Sequence, residues 1–124
     1  MTVRIDHVAL GARDPQAAAD WLAELLGLAP PRPEGADDDM FAVRLGDGSS
    51  LLFAAADPVP FQHMAFRVDA PSFAAIVERL RGRGLAHGND PEQPDNGLTS
   101  DPLGGAGRVY FASPDGHLFE ATTP

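Results

Sequence analysis

A chain of 124 residues, 44% of them hydrophobic, is the size of one ordinary domain and can bury roughly two-thirds of its unfolded surface. Its net charge of −9, with nine arginines and no lysine against 18 acids, disfavours nucleic acid and anionic membrane as partners. With no cysteine, disulfides and thiolate-bound metal are excluded, so any metal must sit on nitrogen and oxygen ligands. No run approaches the roughly 20 apolar residues of a membrane span, and the first residues lack the basic and apolar regions of a secretory signal, so a soluble, cytoplasmic protein is expected.

The alternation from Val3 to Leu10 predicts a strand that ends at Gly11, with both faces covered. Asp14 then caps a helix with Pro15 at its first position. Ala18, Trp21, Leu22, Leu25 and Leu26 recur at helical spacing, facing inward, until Gly27 stops it. A weak short strand is expected near Ala29 to Arg32, followed by an acidic loop over Glu34 to Asp39. Met40 to Leu45 and Ser50 to Ala55 flank Gly46-Asp47-Gly48 and read as a hairpin.

The second half repeats this plan. Phe61 to Asp69 reads as a strand and Pro71 to Arg83 as a helix with Phe73, Ile76, Val77 and Leu80 inward. A hairpin spans Arg108 to Thr122 around Ser113-Pro114-Asp115-Gly116. Between helix and hairpin, Ala86 to Gly107 forms a connection of unusual length, as suits a lid, a binding loop or a mobile segment, with a weak strand expected near Ala86 to Asn89.

Self-comparison shows a duplication. His7 and His63 stand 56 positions apart, as do Pro15 and Pro71, while Gly27-Leu28-Ala29 and Gly84-Leu85-Ala86 stand 57 apart. Asp47-Gly48 and Asp115-Gly116 stand 68 apart, and the same offset sets Leu52 opposite Glu120. Module 1 thus covers about residues 1–57 and module 2 about 58–124 of a single domain. Two imidazoles at one spot of a repeat, joined by one carboxylate in an apolar strand, form a metal-site inventory.

Asp-His-Val-Ala-Leu at the first strand, Ala-Asp-Trp-Leu-Ala-Glu-Leu-Leu-Gly-Leu along the first helix, Gln-His-Met-Ala-Phe-Arg-Val at the fifth strand and Val-Tyr-Phe-Ala-Ser-Pro-Asp-Gly-His-Leu-Phe-Glu at the end carry a resemblance over nearly the whole chain. They resemble the vicinal oxygen chelate superfamily, which includes glyoxalase I, extradiol dioxygenases and the fosfomycin- and bleomycin-resistance proteins. The resemblance implies an α+β fold of two βαβββ modules whose sheets form an incomplete barrel around a divalent metal, and commonly a homodimer. It places metal ligands at His7, His63 and Glu120, with no fourth because Leu52 occupies the matching position. Two histidines and one carboxylate with open positions suit Fe(II) or Mn(II), with Zn(II) or Ni(II) as alternatives, and bidentate binding of adjacent substrate oxygens.

Within that resemblance, Tyr110 matches the tyrosine that in extradiol enzymes orients the substrate oxygen. A hairpin register pairing 110 with 120 puts both on one face, and a slip of one residue separates them. Asp101-Pro102-Leu103 stands where extradiol enzymes carry an acid/base histidine, and the absence of lysine removes counter-charges that fosfomycin-type enzymes use. Arg44 and Arg108 are candidate anion contacts, and Phe41, Phe53, Phe61, Phe66 and Tyr110 candidate pocket walls, some of which must pack under the helices. His87 and His117 read as structural or solvated, and Trp21 as core. The expected function is dioxygenase-like chemistry on a small substrate. The alternative is a non-catalytic dimeric binding or drug-resistance protein that sequesters an aromatic or cationic ligand, and glyoxalase-like isomerisation ranks third because it needs a further ligand.

Overall fold

The computed structural model describes residues 2–124, which divide into two compact units on either side of the junction between Pro60 and Phe61. Unit 1 runs β1 (His7–Ala12), α1 (Pro15–Leu26), β2 (Arg32–Glu34), β3 (Met40–Arg44) and β4 (Ser50–Ala55), with its sheet in the order β1-β4-β3-β2. Unit 2 runs β5 (His63–Arg67), α2 (Ala70–Gly82), β6 (Gly107–Ala112) and β7 (Leu118–Thr123), in the order β5-β7-β6. Each sheet is open, the first strand of each unit lies parallel to the last, and the fold is α+β.

Both helices form as the sequence predicts, and for the same reasons. Asp14 Oδ1 accepts from the N–H of Ala17 at 3.1 Å and Asp69 Oδ1 from that of Ser72 at 2.8 Å, each with proline in the first turn. At the far ends Gly27 (φ 72°) and Gly84 (φ 64°) take the left-handed conformation. The following N–H groups, on Leu28 and Leu85, then reach back to the carbonyls of Ala23 and Leu80 at 2.8 and 2.9 Å. The repeated Gly-Leu-Ala is therefore the same helix stop used twice.

α1 buries Ala19, Leu22, Ala23 and Leu25 against the sheet face of Leu10, Ala12, Val43, Leu51 and Phe53; Trp21, Ala18 and Leu26 are half-buried rather than central. α2 buries Phe73, Ile76, Val77 and Leu80 against Val109, Phe111, Phe119 and Ala121. Phe53 is thus core, and Phe66, whose ring centroid lies 6.0 Å from that of Phe119, shares the helix side of its sheet. Phe41 pairs with Phe53 in register and shares its face, while Phe61 is 64% exposed ahead of β5. Of the four candidate pocket walls that lie within strands, only Tyr110 is on the opposite, site-bearing face of its sheet.

Three expectations are corrected. The first strand begins at His7, not Val3, because its partner β4 begins at Ser50, opposite His7; Val3 and Ile5 are exposed. β2 starts at Arg32, after Pro30 and Pro31, which have no N–H to give, and keeps Pro33 on a sheet edge where that loss is tolerated. The strand expected near Ala86 to Asn89 is a single bridge between Gly88 and Tyr110. It does not propagate because the next N–H that β6 offers on that side, Arg108's, donates to the Thr99 carbonyl at 3.0 Å.

Gly107, at the start of β6, has no room for a side chain: a Cβ there would stand 2.5–2.7 Å from the Phe73 ring. Gly107→Ala is expected to destabilise by roughly 1–3 kcal/mol, whereas Gly46→Ala, with nothing within 4 Å, stays within about 0.5 kcal/mol; urea unfolding measures both. The Ser72 hydroxyl and then its N–H hold the Asp69 carboxyl below the usual 3.8. A lowered folded-state value means that the charged cap stabilises fully above pH 3.8 and ceases to do so as the pH falls through that lower value. The difference in unfolding midpoint between wild type and Asp69→Asn should therefore be greatest above pH 3.8 and shrink below it.

Candidate active site on the second sheet

The β6–β7 turn sets the geometry. Gly116 N–H bonds the carbonyl of Ser113 (2.9 Å) and Ser113 N–H that of His117 (2.9 Å), which locks a register pairing Tyr110 with Glu120 and Arg108 with Thr122. The parallel register of β5 pairs Ala65 with Glu120 and His63 with Leu118. Since paired residues share a face and alternate residues follow them, His63, Arg108, Tyr110 and Glu120 all project from the side of the sheet away from α2. Tyr110 thus takes the alignment with Glu120 that the one-residue slip would have destroyed.

Unit 1 supplies the same framework with different side chains. Its turn bonds Leu45 to Ser49 and Gly48 to Leu45, the counterparts, 68 positions earlier, of the bonds in the β6–β7 turn. Leu52 consequently lies between Ala9 and Ala42, as Glu120 lies between Ala65 and Tyr110. His7 occupies the place of His63, but it is exposed and its Nδ1 bonds the Asp6 carboxylate at 2.8 Å.

Glu120 is 5% exposed, and an unpaired carboxylate at that depth would be costly. Both its oxygens have partners: Oε1 stands 2.9 Å from His63 Nε2, and Oε2 accepts from Arg108 Nη1. His63 keeps 42% of its side chain exposed, so the pair is open on the imidazole side. The Tyr110 ring lies 6.0 Å from that of His63, centroid to centroid. Arg108 in turn donates through Nε to Asp101 Oδ1 at 2.9 Å. That bond, ahead of the N–H groups of Leu103 and Gly105, holds the Asp101 carboxyl below the usual 3.8.

The structure brings His63, Tyr110 and Glu120 onto one face. Among the described residues, no three His, Cys, Asp or Glu side chains are grouped as a metal ion would need. Arg108, expected as an anion contact, is an internal clamp shared by two carboxylates. His117 is fully buried, with Nδ1 accepting from the Gln62 N–H at 3.1 Å, and His87 Nδ1 donates to the Leu85 carbonyl at 2.9 Å; both are structural.

Asp101 was not among the candidate site residues, yet it lies in a loop that is tied down at several points. Asn96 Nδ2 donates to Asn89 Oδ1 (2.8 Å), Asn89 Nδ2 to the Ser100 carbonyl (2.9 Å), and Arg108 N–H to that of Thr99 (3.0 Å). The signal was Asp101-Pro102-Leu103-Gly104-Gly105. Asp101 accepts from the Leu103 and Gly105 N–H groups, and a Cβ on Gly105 would lie 2.3 Å from Asp101 Oδ2.

Comparison with known proteins places this geometry. The chain is similar to oxidase ChaP-H1 (38% identity, 99% of this chain and 97% of that chain, TM-score 0.90) and to oxidase ChaP-H2 (33%, 100% and 95%, TM-score 0.90). A glyoxalase/dioxygenase from Nostoc punctiforme, 22% identical over 97% of this chain and 90% of that one, shares the fold at a TM-score of 0.72. No curated protein matches. Residues 7–122 match the glyoxalase-like domain model, and the chain belongs to that family, within the vicinal oxygen chelate superfamily.

Proposed function

We propose that the chain is an oxidising, dioxygenase-like enzyme acting on a small substrate with two adjacent oxygens, at the face that carries His63, Tyr110 and Glu120. The observation that carries the proposal is the His63–Glu120 pair, a buried carboxylate oxygen 2.9 Å from an accessible imidazole nitrogen. The identity of 38% to a protein named an oxidase, over almost the full length of both chains, favours oxidation over isomerisation.

Two donor atoms at about 2.1 Å from one ion and at right angles to each other lie about 3.0 Å apart. The pair therefore fits two neighbouring positions on a divalent ion. In this reading His7 is the third ligand, and the N/O donor set suits Fe(II) or Mn(II) before Zn(II) or Ni(II). Such an ion supplies Lewis acidity to the substrate oxygens. Glu120, held on Oε2 by Arg108, presents its other oxygen to the site; the Tyr110 hydroxyl donates a hydrogen bond to a substrate oxygen and holds it in place. The small residues Ala65 and Ala112 stand on the same face as these groups.

Elemental analysis after stripping and anaerobic reloading with Fe(II) or Mn(II) tests the proposal. Wild type is expected to hold about one equivalent per chain and His63→Ala or Glu120→Ala essentially none, with circular dichroism unchanged. Loaded protein should consume oxygen with a member of a catechol and α-keto acid panel, and Tyr110→Phe should slow that by roughly a hundredfold. No stoichiometric metal, together with aromatic-ligand affinity indifferent to chelator, would replace the enzyme with the binding protein, a reading that the charge compensation of Glu120 by Arg108 favours.

A further inference from the structure

Asp101 is 4% exposed at its side chain and fully engaged. Oδ1 accepts from Arg108 Nε (2.9 Å) and Leu103 N–H (2.8 Å), and Oδ2 from Gly105 N–H (3.1 Å). Arg108 is thereby anchored through Nε and meets Glu120 with Nη1 alone, at Oε2. A guanidinium free to turn grips a carboxylate with two parallel N–H bonds, the stronger geometry. On Glu120 that grip would occupy both oxygens and displace His63 from Oε1.

We propose that Asp101 is a positioning residue: by holding Arg108 through Nε, it confines the guanidinium to one oxygen of Glu120 and keeps the other for His63 and for the ion the two would share. The loop over residues 86–107 is then the part of the fold that fixes the charge pattern of the site. This rests on the metal-binding reading above for its second consequence, but the side-chain arrangement itself does not require a metal.

The test has two readouts. Crystal structures of metal-free wild type and Asp101→Ala read the arrangement. The variant is expected to show Arg108 on both Glu120 oxygens with His63 Nε2 out of hydrogen-bond reach; retention of the His63–Glu120 bond would overturn the proposal. Titration with Mn(II) alone reads the consequence. Asp101→Ala should bind roughly 10–100-fold more weakly than wild type, and Asp101→Ala/Arg108→Ala should recover to within a few-fold, because the competing guanidinium is gone. A merely structural Asp101 predicts no recovery, and that result would overturn the proposal. Should Asp101→Ala fail to fold, Gly105→Ala, whose Cβ presses on Asp101 Oδ2, provides the same comparison. If wild type binds no Mn(II), the metal reading fails, and the crystal structures alone decide the role of Asp101.

Discussion

Burial of one carboxylate governs the chemistry of this protein. Glu120 stands on the middle strand of a three-stranded sheet with almost no exposure, where an anion persists only if its oxygens are compensated. One oxygen goes to a guanidinium, the other to an imidazole that is itself accessible. The guanidinium is steadied by a second carboxylate, which backbone N–H groups hold in a turn. A chain of polar contacts thus runs from Asp101 through Arg108 and Glu120 to His63, whose imidazole is the accessible end.

Duplication explains how a chain this small builds the framework. Both units use an Asp-capped, proline-started helix, a Gly-Leu stop and a hairpin whose turn bonds the same positions, 68 residues apart. The two copies nevertheless differ where it matters. Leu52 takes the place of Glu120, Ala42 that of Tyr110, and His7 bonds a solvent-exposed aspartate while its counterpart bonds a buried glutamate. Backbone geometry was kept in both halves and the polar chemistry concentrated in the second.

Much of this was legible in the sequence because it rests on local chemistry. Helix limits follow from Asp14, Pro15 and Gly27, and the hairpin that carries Tyr110 and Glu120 follows from its Ser-Pro-Asp-Gly turn, whereas the register that pairs the two was open until the structure gave it. The positions that escaped depend on partners distant in sequence. Val3 and Ile5 alternate like strand residues but have no paired neighbour, because β4 begins only at Ser50. Gly88 bridges to Tyr110 and the ladder stops, because the Thr99 carbonyl takes the next N–H, that of Arg108. Arg108 reads only as a candidate anion contact until the loop returns Asp101 to it, and neither residue belongs to a periodic pattern that would have announced the contact.

The most direct test of this account is an anomalous-scattering crystal structure of protein loaded anaerobically with Mn(II). The account predicts one strong peak in contact with His63 Nε2 and Glu120 Oε1, with Arg108 still on Oε2 and Asp101 still on Arg108. Manganese confined to surface carboxylates such as Asp37 to Asp39, with the His63–Glu120 bond intact, would contradict it.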